Sequence, residues 1–190
     1  MLKEEHRQLL VAAAEKIGTE LSPDSVEKFS RYGELLLEWN KVMNLTAVTD
    51  EREIVIKHYV DSLTILPYLD RLHCRTLADI GSGAGFPGIP LKIVYPELEV
   101  VLLDSLNKRV KFLNAVIENL GLTGITAIHG RAEDIAKQKE YREGFDLVVS
   151  RAVANLSSLS EYCLPFVKTG GMFVPYKSGS VDTELSEASR

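Results

Sequence analysis

From Arg75 onward, short apolar runs alternate with stretches of helical spacing, and that alternation limits the fold more than any other feature of the chain. "RTLADIG", "LEVVLLD", "GITAIHG", "FDLVVSR" and "GGMFVPYK" read as strands. Between them the spacing predicts helices near Ile89–Tyr95, Leu106–Leu120 and Asn155–Val167. The second is the clearest, with Leu106, Val110, Leu113, Val116 and Leu120 on one side and Gly121 as its stop. Apolar strands joined through helices imply a parallel sheet covered on both faces, so the expected class is α/β, a doubly wound sheet. Ligands of such sheets lie beyond the carboxyl ends of the strands. The residues that follow each strand are therefore the candidates for chemistry.

The first seventy residues read differently. Leu2–Ile17 is amphipathic, with Leu2, Leu9, Leu10, Ala13 and Ile17 on one side and Gly18 at its end. A second helix starts at Ser22 as N-cap, with Pro23 in the first position and Asp24 complementing the helix dipole; Val26, Phe29, Leu36 and Trp39 form its apolar stripe. A third is expected from Glu51 to Leu66, stopping at Pro67. This divides the chain into a helical cap, residues 1–70, and a ligand-binding domain, residues 71–190. With 190 residues and 45% hydrophobic content the chain can bury a real core. The N-terminus "MLKEEHRQLL" lacks a signal peptide's order and no uninterrupted apolar run is long enough for a bilayer, which predicts a soluble, cytoplasmic protein without a membrane partner. Cys74 and Cys163 stand far apart without metal-ligand spacing, so buried free thiols and no metal are expected. A net charge of -5 argues against a protein that coats nucleic acid, though not against a local basic rim.

The stretch "LADIGSGAGFPGIPL" holds four glycines and two prolines in the turn after the first strand. Gly81, Gly83 and Gly85 allow a tight turn that brings backbone N–H groups toward a ligand at a helix start. Gly83, Gly85 and Gly88 also satisfy the dinucleotide pattern G-x-G-x-x-G. Three features favour S-adenosylmethionine instead. Asp79 places a carboxylate before the first glycine, where it would hold an ammonium group. Phe86-Pro87 makes a stiff apolar exit, suited to a wall beside a purine or sulfonium. No Tyr-x-x-x-Lys pair of a common dehydrogenase type occurs. Asp104, ending the second strand, is placed to accept ribose hydroxyls from either ligand. Ala132 and Glu133, after the third strand, are placed to meet an adenine edge.

The segments "EWNKVMNLTAVTD", "HYVDSL", "DIGSGAGFPGIPLKI", "LLDSLNKRVKFL" and "SRAVANLSSLSEYCLP" occur in that order, and with them the chain from about Phe29 to Lys177 resembles the bacterial ribosomal small-subunit guanine-N7 methyltransferases, also called glucose-inhibited division protein B. The resemblance implies a Rossmann-like methyltransferase domain behind a small helical cap, acting on guanine 527 in the 530 loop of 16S rRNA. It further implies cofactor contacts at Gly81, Phe86, Ala132, Glu133 and Arg151. One departure is expected to matter: a methyltransferase sheet adds a hairpin after its fifth strand, yet only 13 residues follow Lys177. The C-terminal strands are thus expected to be missing, and Lys177-Ser178-Gly179 replaces the family's Lys-Gly.

Guanine N7 already carries a lone pair facing the major groove, so its methylation needs no general base. The chain matches that economy: "SRAVANL" after strand four is not the Asn/Asp-Pro-Pro-aromatic signature of amine methyltransferases, and no cysteine stands there. Arg151 is the expected bridge between cofactor and RNA, a catalytic position, with Lys108, Arg109 and Lys177 as phosphate contacts; Lys111 adds to the cluster. His58, Asp61 and Ser62 suggest a triad but lack a nucleophile elbow, and read as a polar lining between cap and sheet, near the loop holding Asn44. Phe29, Tyr32 and Trp39 read as cap core rather than a base-stacking platform. The substrate is expected to be 16S rRNA or the 30S subunit and the enzyme a monomer. Two alternatives remain: an NAD(P)-dependent oxidoreductase, and a non-catalytic RNA-binding or ribosome-assembly module.

Overall fold

The computed structural model describes residues 2–69, 73–151 and 155–177. The boundary expected at residues 70–71, the residues directly after strand four, and Ser178 with Gly179 lie outside them. Helices α1 (Glu4–Lys16) and α2 (Pro23–Met43) open the chain. Ser22 caps α2 through its Oγ, which accepts from the Ser25 amide at 3.0 Å, as Ser-Pro-Asp at a helix start predicts. The third helical stretch is not one helix. Helix α3 (Glu51–Ile54) passes into a π-helical turn (Val55–Val60) and α4 (Asp61–Leu63), and a separate α5 (Leu66–Leu69) carries Pro67 in its first turn, where a missing N–H costs nothing.

Five strands follow: β1 (Thr76–Ile80), β2 (Glu99–Asp104), β3 (Ile125–His129), β4 (Phe145–Arg151) and β5 (Val167–Tyr176). They form one sheet in the order β3-β2-β1-β4-β5, every pairing parallel. The connecting helices are α6 (Gly88–Val94), α7 (Asn107–Asn119), α8 (Ala132–Ile135) and α9 (Leu156–Cys163), the last continued by a 3-10 turn at Leu164–Phe166. The order reverses at β1, whose neighbours are β2 and β4. A crevice is expected at that point, above the carboxyl ends of the strands.

Successive strand residues face opposite layers. Leu77, Leu102, Leu147 and Val149 pack with buried residues of α1, α2, α6 and α7, whereas Ala78, Leu103 and Val148 pack with Ile135, Leu159, Cys163 and Phe166. The buried Phe29, Tyr32 and Tyr59 of the N-terminal helices belong to the first of these cores, continuous with Leu77 and Leu102. Trp39 meets Phe112 of α7 at 5.7 Å between ring centroids, and Tyr32 meets Phe86 at 5.2 Å. These aromatics are core, not an exposed platform for bases. Both cysteines are buried and unpaired, and burial pushes each thiol up to about 12, which leaves them inert. Among the described residues no helix is long and apolar enough to cross a membrane.

Candidate active site

Beyond β1 the chain turns through residues 81–87 into α6. Gly85 is where the turn most needs glycine: its φ is +92°, and a Cβ there would stand 2.5 Å from Ile89 Cδ1 and 2.8 Å from the Tyr32 hydroxyl. That hydroxyl donates to the Ala84 carbonyl, so α2 clamps the loop directly.

The loop's amides point inward. Gly81 and Ser82 both donate to the Leu103 carbonyl, at 2.8 and 3.0 Å, and Gly85 and Phe86 to the Ser82 carbonyl, at 2.7 and 3.2 Å. Gly83 donates to Asp104 Oδ2 at 2.9 Å. The expectation that these N–H groups reach toward a ligand is therefore corrected: the turn uses them to hold its own shape. A pyrophosphate cradle would need them free.

Asp79 strengthens that distinction. The Gly88 amide at the start of α6 donates to Asp79 Oδ2 at 2.9 Å, so a carboxylate already occupies the helix end on which a pyrophosphate would rest. Asp79 is fully buried beneath the loop, and its Oδ1 has no hydrogen-bond partner among the described residues. Burial pushes its carboxyl up to about 7, against the lowering pull of the Gly88 bond and the Arg151 charge. An orphaned buried carboxylate oxygen costs roughly 1–3 kcal/mol or more, which an arriving cationic donor would recover. The residues thus fit a ligand with an ammonium group and do not fit a dinucleotide.

Asp104 combines two tasks. Its Oδ1 accepts from the Leu106 amide at 2.8 Å and its Oδ2 from Gly83, with Arg109 Nη1 at 3.4 Å. It braces the glycine loop and the start of α7, while Oδ1, with one donor, keeps a lone pair for a hydroxyl. Two adjoining cavities open here. The larger, about 790 Å³, has the residues 81–84 loop, Phe86, Asp104 and Arg109 as its floor, Thr46, Lys57, His58 and Asp61 as its roof, and Arg151, Tyr176 and Lys177 at its side. The smaller, about 190 Å³, shares Gly81 and Ser105 with it and is lined by Ala132, Glu133 and Tyr162. The expected adenine contacts therefore come together in one place, with the Glu133 carboxylate half exposed and 3.5 Å from Arg131. Phe86 lines the larger cavity only, away from the adenine side.

Arg151, at the end of β4, joins sheet to roof. Its Nη1 donates to Asp61 Oδ2 at 2.9 Å and to the Lys57 carbonyl at 3.1 Å, Nη2 lies 3.4 Å from His58 Nδ1, and the guanidinium stands 5.0 Å from the centroid of the Phe86 ring. The His58 ring stacks on Phe86 at 4.6 Å and its Nε2 meets Thr46 Oγ1 at 2.9 Å. Burial, helped by Arg151, pushes His58 down to about 4. The neutral ring then accepts from Arg151 at Nδ1 and donates to Thr46 from Nε2. His58 and Asp61 are thus a lining and an anchor for Arg151, while the buried Ser62 hydroxyl donates to the His58 carbonyl, and the three form no triad. Arg109 and Lys177 border the larger cavity, whereas Lys108 and Lys111 are exposed outside it.

Sequence reasoning missed Ser105, Tyr162 and Tyr176. Ser105 and Tyr176 each sit at a strand's carboxyl end, where the rule for such sheets would have found them; Tyr162 comes from α9 with no local signal.

Comparison with known proteins adds an independent line. The family model described as rRNA small subunit methyltransferase G matches residues 25–190. A ribosomal RNA small subunit methyltransferase G of Lachnoclostridium phytofermentans is 55% identical over 172 residues, covering 90% of this chain and 71% of the relative. A Clostridium botulinum protein of the same name is 50% identical, covering 96% and 76%. Among solved structures, a putative caffeoyl-CoA O-methyltransferase from Staphylococcus aureus superposes with a TM-score of 0.56 at 13% identity, covering 90% of this chain and 73% of that one. An O-methyltransferase from Bacillus cereus does so with 0.52 at 22%, covering 73% and 62%. At such identities the structural likeness speaks for the fold, a Rossmann-like α/β sheet.

Proposed function

The chain belongs to the rRNA small subunit methyltransferase G family, and we propose that it transfers the methyl group of S-adenosylmethionine to N7 of a guanine in 16S rRNA, guanine 527 of the 530 loop, acting in the cytoplasm as a monomer. The observation that carries the cofactor assignment is Asp79: a buried carboxylate with one oxygen unpartnered among the described residues, under a loop whose Gly81, Gly83 and Gly85 amides are spent. Asp79 holds the ammonium of the amino-acid end, which lies against the Gly81, Gly83 and Gly85 turn, Asp104 holds the ribose, and Ala132 with Glu133 the adenine. When bound, S-adenosylmethionine supplies an electrophilic sulfonium methyl.

What the chain's residues must then do is align, shield and tolerate charge. N7 brings its own lone pair, so no proton has to be removed before attack. The site agrees, because the ring nitrogens of His58 are both committed, to Arg151 and to Thr46. Methylation at N7 leaves a positive purine, and alignment with a suitable electrostatic setting accounts for the rate. Arg151 bridges cofactor and RNA from the junction of floor and roof. Lys108 and Arg109 sit in the first turn of α7, which holds no acidic residue. Cations are unfavourable at that helix end, by about 0.3–1 kcal/mol each, and an external phosphate reverses the sign. With Lys177 they form the basic rim.

The experiment is methylation of unmodified 16S rRNA, naked or in 30S subunits, followed by borohydride and aniline, which cut the chain at 7-methylguanosine. One new cut in the 530 loop is the expected result. Methyl incorporation without that cut would overturn the assigned base, and cofactor binding without any incorporation would favour a non-catalytic RNA-binding module.

A further inference from the structure

The reaction at N7 fixes how a guanine must lie in the larger cavity. The N7 edge turns to the floor, where Asp79 and the glycine loop hold the methyl donor. The opposite edge, with the N1–H and the N2 amine, then turns to the roof. Both groups on that edge are donors, and a carboxylate is the side chain that accepts both at once.

Among the described residues two carboxylates border this cavity, Asp61 and Asp104. Asp104 is 2% exposed, belongs to the floor and has both oxygens bonded to amides. Asp61 belongs to the roof, at the start of α4 directly after the π-helical turn, and its side chain is 47% exposed. Arg151 holds Asp61 Oδ2 at 2.9 Å, while no described residue hydrogen-bonds Oδ1. The carboxylate is thus oriented before any ligand arrives, with acceptor capacity left over. Leu45 and Phe86 add apolar surface to the same cavity for a purine ring.

We propose that Asp61 determines guanine specificity by accepting the N1–H and N2 amine of the target base, with Arg151 fixing the carboxylate for that contact. Adenine presents an acceptor at N1 and no amine at C2, so it meets Asp61 with lone pair against lone pair. The inference rests on the methyltransferase reading above and adds the residue that recognises the base.

The test compares 16S rRNA carrying guanosine or inosine at the methylated position, introduced by splinted ligation, in single-turnover methyl transfer. Inosine keeps N7 and loses only the N2 amine. Wild-type enzyme is expected to favour guanosine about 10- to 100-fold, the value of hydrogen bonds to a charged group. In Asp61→Asn, transfer to guanosine falls to the inosine level and the ratio collapses to near one. Asp61→Glu restores part of the ratio. The collapsed ratio is the readout that loss of an Arg151 anchor alone would not give, and calorimetry should show that the Asn variant still binds S-adenosylhomocysteine. Equal wild-type rates on the two RNAs, an undiminished ratio in Asp61→Asn, or loss of cofactor affinity in that variant would each overturn the proposal. Absence of wild-type transfer to the guanosine RNA would instead strike the methyltransferase reading itself.

Discussion

The floor and the roof of the larger cavity are built on opposite physical terms. The floor is dry: the loop amides, the Leu103 carbonyl, Asp79 and Asp104 make short, largely buried hydrogen bonds, and among the described residues Asp79 Oδ1 is the buried side-chain atom left without a partner. The roof is partly exposed, with the Lys57 carbonyl and the His58 and Asp61 side chains gathered around one arginine. A dry floor with one vacancy suits a ligand that is always the same. A roof of side-chain contacts can rearrange around an RNA that must enter and leave. On the proposed function, selectivity for the cofactor resides in geometry fixed at folding, and selectivity for the substrate in partners that exchange.

The largest expected effect breaks the floor. Asp79→Asn removes the buried charge and should weaken S-adenosylhomocysteine binding by at least about 100-fold, the scale of losing one partner of a buried ion pair. The same change should stabilise the ligand-free protein at high pH. Because the folded carboxyl is raised from 3.8 to about 7, its contribution to wild-type stability is greatest below pH 3.8 and is lost as pH rises through about 7. The melting temperature of Asp79→Asn should therefore exceed that of wild type at pH 8 and show no such gain at pH 4. Gly85→Ala is next. A positive φ and a Cβ 2.5 Å from Ile89 together cost about 3 kcal/mol, so the melting temperature should fall by roughly 6–12 °C, in a thermal scan. At the roof, Arg151→Lys keeps the charge and loses the fork, and should lower transfer about tenfold with melting nearly unchanged. The smallest effect belongs to His58. The unfolded chain takes up a proton near pH 6.5 that the folded one refuses until about 4, so stability is present above pH 6.5 and lost as pH falls toward 4. His58→Gln should flatten that acid limb by about 1 kcal/mol, seen in denaturant titrations at pH 7 and 5.

Much of the floor was legible in the sequence, because strands and the turns after them leave local signals. Each strand lies within the run that suggested it, extended only at β5, which starts at Val167 rather than Gly170. Asp79, Gly81, Asp104 and Arg151 all stand at strand ends in the described sheet. The inward aim of the loop amides was not legible, since composition shows that glycine permits a turn and not where its donors go. The roof was harder. Apolar spacing reads 51–66 as one regular helix, while the π-helical turn at Val55–Val60 packs against α1 and, through Tyr59, against Phe29 and Tyr32 of α2, which spacing does not reveal. That turn sits under Lys57 and His58, so their convergence on Arg151, some ninety residues away in sequence, had no local trace. The four-residue α8 is likewise too short for a periodic pattern.

The central claim is that the unpartnered oxygen of Asp79 holds the cofactor's ammonium group. It is tested most directly by calorimetry at pH 8 with S-adenosylhomocysteine and its deaminated analogue, in which a hydroxyl replaces the amino group. The account predicts that wild type binds the amine at least about 100-fold more tightly and that Asp79→Asn binds the two alike. Equal affinities in the wild-type protein would contradict it.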